Sequence, residues 1–277
     1  MEINDAIRKE CLRRRYSEKT IKTYITCVNL FFKKCKKEPK KVTKKDVREF
    51  LENLAEKGRA GNTLNVYLNA LKFVFEDLLG KRMRLNIRYS KRPMELPTVL
   101  TREEVKELFN AITNEKHRLM IMLIYSSGLR VNELINLKVK DLNINKGYGF
   151  VRKGKGNKDR LFIIADKIKE KLNKLVVNEK LKEADFLFNS NRKSCFHTRT
   201  IQEIIKKAAK KAKIKKNVHP HTLRHSFATH LIENKYSISE VQGLLGHNNP
   251  ETTMIYLHTA NINMINVKSP LDSFSTK

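Results

Sequence analysis

Apolar residues return at three- and four-residue steps through most of the chain. Behind Ser17, a residue suited to capping a helix, Ile21, Tyr24, Ile25, Val28, Phe31 and Phe32 line one helical face. Thr43-Lys44-Lys45-Asp46 has the capping-box pattern, in which the third residue after the cap reaches back to it, and Val47, Phe50, Leu51 and Leu54 follow. Gly58 and Gly61 interrupt, after which Leu64, Tyr67, Leu68, Leu71, Val74 and Phe75 resume the spacing. Residues 1–85 are therefore expected to form a small bundle of four helices.

The periodicity fails at KRMRLNIRYSKRPMELP, a basic stretch with two prolines. Its residues 86–97 are predicted to be a linker that lies along a phosphate backbone. A second capping box, Thr101-Arg102-Glu103-Glu104, opens the region 98–277. A buried helix is expected over 117–127, ending at Gly128. Strand signals are confined to 147–164: Tyr148, Phe150 and Val151, a Gly/Asn turn, then Leu161 to Ile164. Helices are expected at about 166–182, 198–213, 220–233, 237–245 and 250–258. The fold class is mainly α, with one small antiparallel sheet in the C-terminal domain.

Charge changes the picture. The 277 residues carry a formal +29, and the excess is shared, with 25 Lys/Arg against 12 Asp/Glu in residues 1–95. Two basic bodies point to a polyanionic partner gripped from two sides rather than by one tail. The four cysteines (Cys11, Cys27, Cys35, Cys195) show no CxxC spacing, so neither a zinc site nor a redox dithiol is signalled. The longest apolar run, Leu119 to Tyr125, is far short of a membrane span, and MEINDAIRKE lacks a signal-peptide core. A cytoplasmic location is expected.

Residues capable of chemistry cluster after residue 125, in SSGLRVNEL (126–134), KGKGNKDRL (153–161), HPHTLRHSFATHL (219–231) and LLGHNNPETTMIYLH (244–258). Singly, each has an ordinary explanation. Arg130 could face solvent, the Gly/Lys turn could be a hairpin tip, and His221, Arg224 and His225 share a helix face as structural residues often do. A tyrosine such as Tyr256 on an amphipathic helix usually packs.

Their order tells more. Arginine, a lysine in a β-turn, His-x-x-Arg-His, Gly-His and tyrosine resemble the tyrosine recombinases, and most of all the Xer-type chromosome dimer resolvases and their archaeal relatives. The most specific matches are His221 to Leu231 and Leu244-Leu245-Gly246-His247, which sets its histidine nine residues before Tyr256. The resemblance runs from about Pro97 to His258, and more weakly over the N-terminal half, which looks like the family's core-binding domain. It implies a two-domain, C-shaped clamp on double-stranded DNA carrying a specific recombination site. A homotetramer would work at the nucleoid, with a C-terminal oligomerisation tail over 259–277.

The resemblance also assigns roles. Tyr256 is the nucleophile that forms a 3′-phosphotyrosine, and Arg130 and Arg224 clamp the phosphate with paired hydrogen bonds. His221 and His247 add hydrogen bonds, and His221 helps remove the phenolic proton. Lys155, between Gly154 and Gly156, is the general acid, with Lys153 and Lys158 as rivals. Glu133, one turn after Arg130, supports the arginines. His219, His225 and His230 are read as structural. No metal pattern is present, and the implied mechanism needs neither metal nor ATP, so no cofactor is expected. Three alternatives stay open: an integrase of a phage or mobile element, a type IB topoisomerase, and an architectural DNA-binding protein without activity.

Overall fold

In a computed structural model of the protein, residues 3–81, 85–90, 96–152, 159–190 and 195–246 are described. The expected helix at 250–258 and the turn around Lys155 lie outside them. The chain divides into two compact units, 1–94 and 95–277.

Unit 1 holds α1 (Ile3–Arg13), α2 (Glu18–Cys35), α3 (Lys44–Glu56) and α4 (Gly61–Lys72). Ser17 caps α2 by accepting from the Thr20 backbone N–H at 3.1 Å. The Thr43 N–H donates to Asp46 Oδ2 at 2.8 Å, closing the capping box of α3. Phe31 is fully buried at the centre, edge-on to Phe50 and Phe75 at 5.2 and 5.8 Å. The last turn of α4 widens into a π-helix over Phe73–Leu78, which the regular spacing of Leu64 to Phe75 does not predict. The Glu76 carboxylate of that segment accepts from the Leu85 N–H at 2.5 Å. Residues 85–90 then lie on unit 1. Leu85 is buried, and the Asn65 amide both accepts from the Ser90 N–H and donates to the Ser90 carbonyl. Leu85 and Ser90 of the basic segment are thus anchored to the bundle.

Unit 2 has seven helices among its described residues. They are α5 (Arg102–Ala111), α6 (Glu115–Ser127), the single turn α7 (Val131–Ile135), α8 (Asp166–Asn178), α9 (Thr198–Lys211), α10 (Pro220–Glu233) and α11 (Ile238–Leu245). Strands β1 (Leu142–Asn143), β2 (Tyr148–Val151) and β3 (Arg160–Ile163) form an antiparallel meander in the order β1-β2-β3. The hairpin register pairs Val151 with Arg160 and Tyr148 with Ile163.

Helix α6 is the spine of this unit. Leu119, Met120, Ile121, Leu123 and Ile124 bury more than one face of it, and α5, α7, α8, α10 and β3 pack around it. It stops at Gly128, whose φ of +60° caps the helix. A Cβ there would also stand 2.5 Å from the Phe227 ring, so glycine is required twice over. Helix α8 ends at Asn178, four residues short of its expected end; Lys180 adopts φ +50° just beyond it. Among the described residues, no helix is long and apolar enough to cross a membrane.

Candidate active site

After the left-handed turn at Gly128, Leu129 is buried, and Arg130 follows as the N-cap of α7. The cap needs an acceptor, and Glu133 supplies it. Glu133 Oε2 accepts from the Arg130 backbone N–H and Oε1 from the Arg130 guanidinium, both at 2.8 Å. The side chains of Glu133 and Arg130 are 7% and 22% exposed, so the carboxylate is covered while the arginine remains partly open to solvent. Burial pushes the Glu133 carboxyl up, but Arg160, the Arg130 N–H and the Arg130 guanidinium outweigh it, and its pKa lies below the usual range. Glu133 is a carboxylate at neutral pH.

Helix α10 begins at Pro220. His219 caps it through ring Nδ1, which accepts from the Thr222 N–H at 3.2 Å. Three residues on from His221, Arg224 is 2% exposed. Its guanidinium donates to the Gly128 carbonyl and, at 2.6 Å, to the Leu245 carbonyl. One side chain therefore ties the turn before Arg130 to the C-terminal end of α11.

His221 sits at the surface, its ring centroid 6.3 Å from those of both His219 and His225. Desolvation by the surrounding protein lowers its pKa, and His219, Arg224 and Arg130 push the same way. His221 lies one helical turn before Arg224, whose guanidinium reaches the Gly128 carbonyl two residues before Arg130. His225 is pulled down to about 4, by burial first and then by His221. His230 accepts or donates at Nδ1 with the Tyr125 hydroxyl, 2.8 Å away. In the structure His219 caps α10, His225 is largely covered and His230 bonds to Tyr125.

The structure thus gathers Arg130, Glu133, His221 and Arg224. Lys155, His247 and Tyr256 lie outside the described residues. One charged residue in the cluster was not anticipated. Arg160, at the start of β3, donates Nη2 to Glu133 Oε2 and Nη1 to the Leu244 carbonyl, both at 2.6 Å. The only sequence signal for it is its place at the edge of the Gly/Lys turn.

With that geometry in view, residues 98–262 match the Phage integrase family, and residues 3–85 match the family's N-terminal SAM-like domain. A tyrosine recombinase of Thermosipho africanus is 37% identical over 260 residues, 89% of this chain and 91% of the relative. Tyrosine recombinase XerA of Pyrococcus furiosus is 40% identical over 247 residues, 87% of this chain and 83% of that protein. Among solved structures, XerH site-specific recombinase bound to its difH substrate superposes with a TM-score of 0.72 at 26% identity, covering 92% of this chain and 81% of that one. A crystal structure of XerA recombinase gives 0.56 at 33% identity, covering 94% of both chains.

Proposed function

Because the chain belongs to the phage integrase family and is a tyrosine recombinase, we propose that Tyr256 is its nucleophile and that it exchanges DNA strands at a specific chromosomal site. The Tyr256 hydroxyl attacks the scissile phosphorus, the bond to the 5′-oxygen breaks, and a 3′-phosphotyrosine forms. His221, neutral at pH 7 because its pKa is lowered, takes the phenolic proton. Lys155 gives a proton to the departing 5′-oxygen. Arg130 and Arg224 meet the charge spread over the non-bridging oxygens, with His247 adding a hydrogen bond and Glu133 holding Arg130. Reversal of the same steps by a 5′-hydroxyl from the partner strand reseals the DNA, and the phosphotyrosine stores the bond energy meanwhile.

The observation that carries this reading is that neighbouring protein groups hold both arginine side chains. Arg130 is held by Glu133 at 2.8 Å and Arg224 by the carbonyls of Gly128 and Leu245. Similarity to the Xer proteins supports chromosome dimer resolution, through a Holliday junction formed by four copies of this chain on two DNA sites. It would act at the nucleoid in the cytoplasm, and the tail over 259–277 would join neighbouring copies.

Incubation with nicked duplexes carrying candidate chromosomal sites, followed by a denaturing gel, tests the assignment. The unaltered chain should give a denaturant-stable protein–DNA adduct, and Tyr256→Phe should bind equally and give none. An adduct from the phenylalanine variant would mean that another residue is the nucleophile.

A further inference from the structure

Arg160 follows the basic sequence KGKGNKD, yet its side chain is only 9% exposed. One guanidinium spans three elements. It springs from β3, donates Nη2 to Glu133 on α7, and donates Nη1 to Leu244 in the last turn of α11. The fit is close. A Cβ on Gly246, which has φ +62°, would fall 2.5 Å from Arg160 Cδ.

Such a group is costly to bury. Desolvation draws the Arg160 pKa down, and Glu133 opposes it. Its Nε is buried without a hydrogen-bond partner among the described residues. An apolar side chain of similar volume would fill the space with less desolvation. What packing would not give is direction. Glu133 divides its two oxygens: Oε1 holds the Arg130 guanidinium, while Oε2 takes both the Arg130 N–H and Arg160 Nη2. Glu133 can hold Arg130 at a set angle only while it is itself held from the other side. The second hand of Arg160, on Leu244, fixes the turn from which the chain runs on to His247 and Tyr256.

We propose that Arg160 is a positioning residue of the cleavage reaction, a strut that sets the Arg130 guanidinium and the C-terminal turn of α11 at a fixed separation. It does not touch the reacting phosphate; it acts through Glu133 and the Leu244 carbonyl. The proposal rests on the roles given above to Arg130 and Tyr256.

The test compares two DNA substrates, with full-length protein throughout. One has an ordinary scissile phosphodiester. The other has a methylphosphonate there, which lacks one negative oxygen and so asks less of a guanidinium. Arg160→Met should slow adduct formation on the ordinary substrate at least about 30-fold. It should leave DNA affinity within about threefold, since most phosphate contacts lie elsewhere. On the methylphosphonate the deficit should shrink to within about threefold, because misplacement of Arg130 then matters less. Arg160→Lys keeps the charge and one contact, so its rate should fall between. Should the methionine variant not fold, the lysine variant carries the same comparison. An equal deficit on both substrates, or none on either, overturns the role of Arg160 while leaving the nucleophile assignment intact. Failure of the unaltered chain to form an adduct, or an adduct from Tyr256→Phe, overturns the underlying assignment and this one with it.

Discussion

Arg224 on α10 and Leu245 on α11 are joined by a 2.6 Å hydrogen bond from guanidinium to backbone carbonyl, buried from solvent. The same guanidinium reaches the Gly128 carbonyl, so a residue proposed for phosphate binding also holds its own surroundings together. Function and stability should therefore be harder to separate at Arg224 than at Arg130, whose side chain is partly exposed.

Arg130→Ala and Arg224→Ala should both remove detectable adduct formation, because each takes away a charge-assisted clamp worth roughly 3 kcal/mol or more. Their stabilities should differ. Arg224→Ala leaves two buried carbonyls unsatisfied and should lower the unfolding free energy by about 2–4 kcal/mol. Arg130→Ala should cost about 1 kcal/mol or less, the value of a partly exposed ion pair, since its backbone N–H still bonds to Glu133. Urea denaturation with the adduct assay alongside checks both, and equal stability losses would contradict the structural role of Arg224.

Lys155→Ala should be slow on a normal strand but nearly normal on one with a 5′-bridging phosphorothiolate, since sulfur departs without a proton. Single-turnover cleavage of the two strands decides the point. The same defect on both would transfer the search for the general acid to Lys153 or Lys158.

Acid should weaken unit 2 through His225. Its folded pKa of about 4 lies below the ordinary value of 6.5, so the unfolded chain takes up the proton first. The contribution is whole above about pH 6.5, declines as the pH falls toward 4, and changes no further below that, a loss of about 1–3 kcal/mol. His221 and His230, both also lowered, act in the same direction. Urea midpoints at pH 7 and pH 5 should draw closer together in His225→Asn, and an unchanged gap would exclude this histidine as a source.

Gly128→Ala should destabilise the protein by about 2 kcal/mol or more, since it meets a positive φ and the Phe227 ring together. Because Gly128 also offers its carbonyl to Arg224, cleavage should fall further than the melting temperature alone explains. Adduct formation measured well below the melting temperature separates the two effects.

DNA affinity should drop steeply with salt. Six phosphate contacts would cost about a thousandfold between 50 and 200 mM. A fluorescence titration across that range checks it, and a flat response would rule out the expected two-sided grip by basic surfaces.

Much of this was legible in the chain itself, for local reasons. Ser17, Thr43 and Thr101 cap the helices they precede, because capping needs only a short side chain and the next turn of backbone. Glu133 could be placed beside Arg130 because three residues make one helical turn. Arg160 could not. In KGKGNKDRL it reads as one more solvated cation, and its burial depends on Leu244, which lies 84 residues away along the chain. Nor could the π-helix at Phe73–Leu78, where packing and the Glu76–Leu85 bond override a spacing that reads as plain α-helix. Imidazole capping by His219 was equally hidden, since histidine is not among the residues that usually signal a helix start.

The bond between the Leu100 N–H and Ser226 Oγ spans 126 residues, and the one from Arg224 to Gly128 spans 96. During synthesis the ribosome emits Gly128 and then, for roughly 5 to 20 s, extends the chain before Arg224 follows. In that interval α6 still lacks its neighbour α10, while α1 to α4 of the N-terminal bundle have all been made. The nascent protein thus has its basic N-terminal body well before its arginine pair is complete. Chains cut short by a premature stop before α10 would lack Arg224 and the scaffold it braces, and with it one of the two arginines proposed to clamp the phosphate.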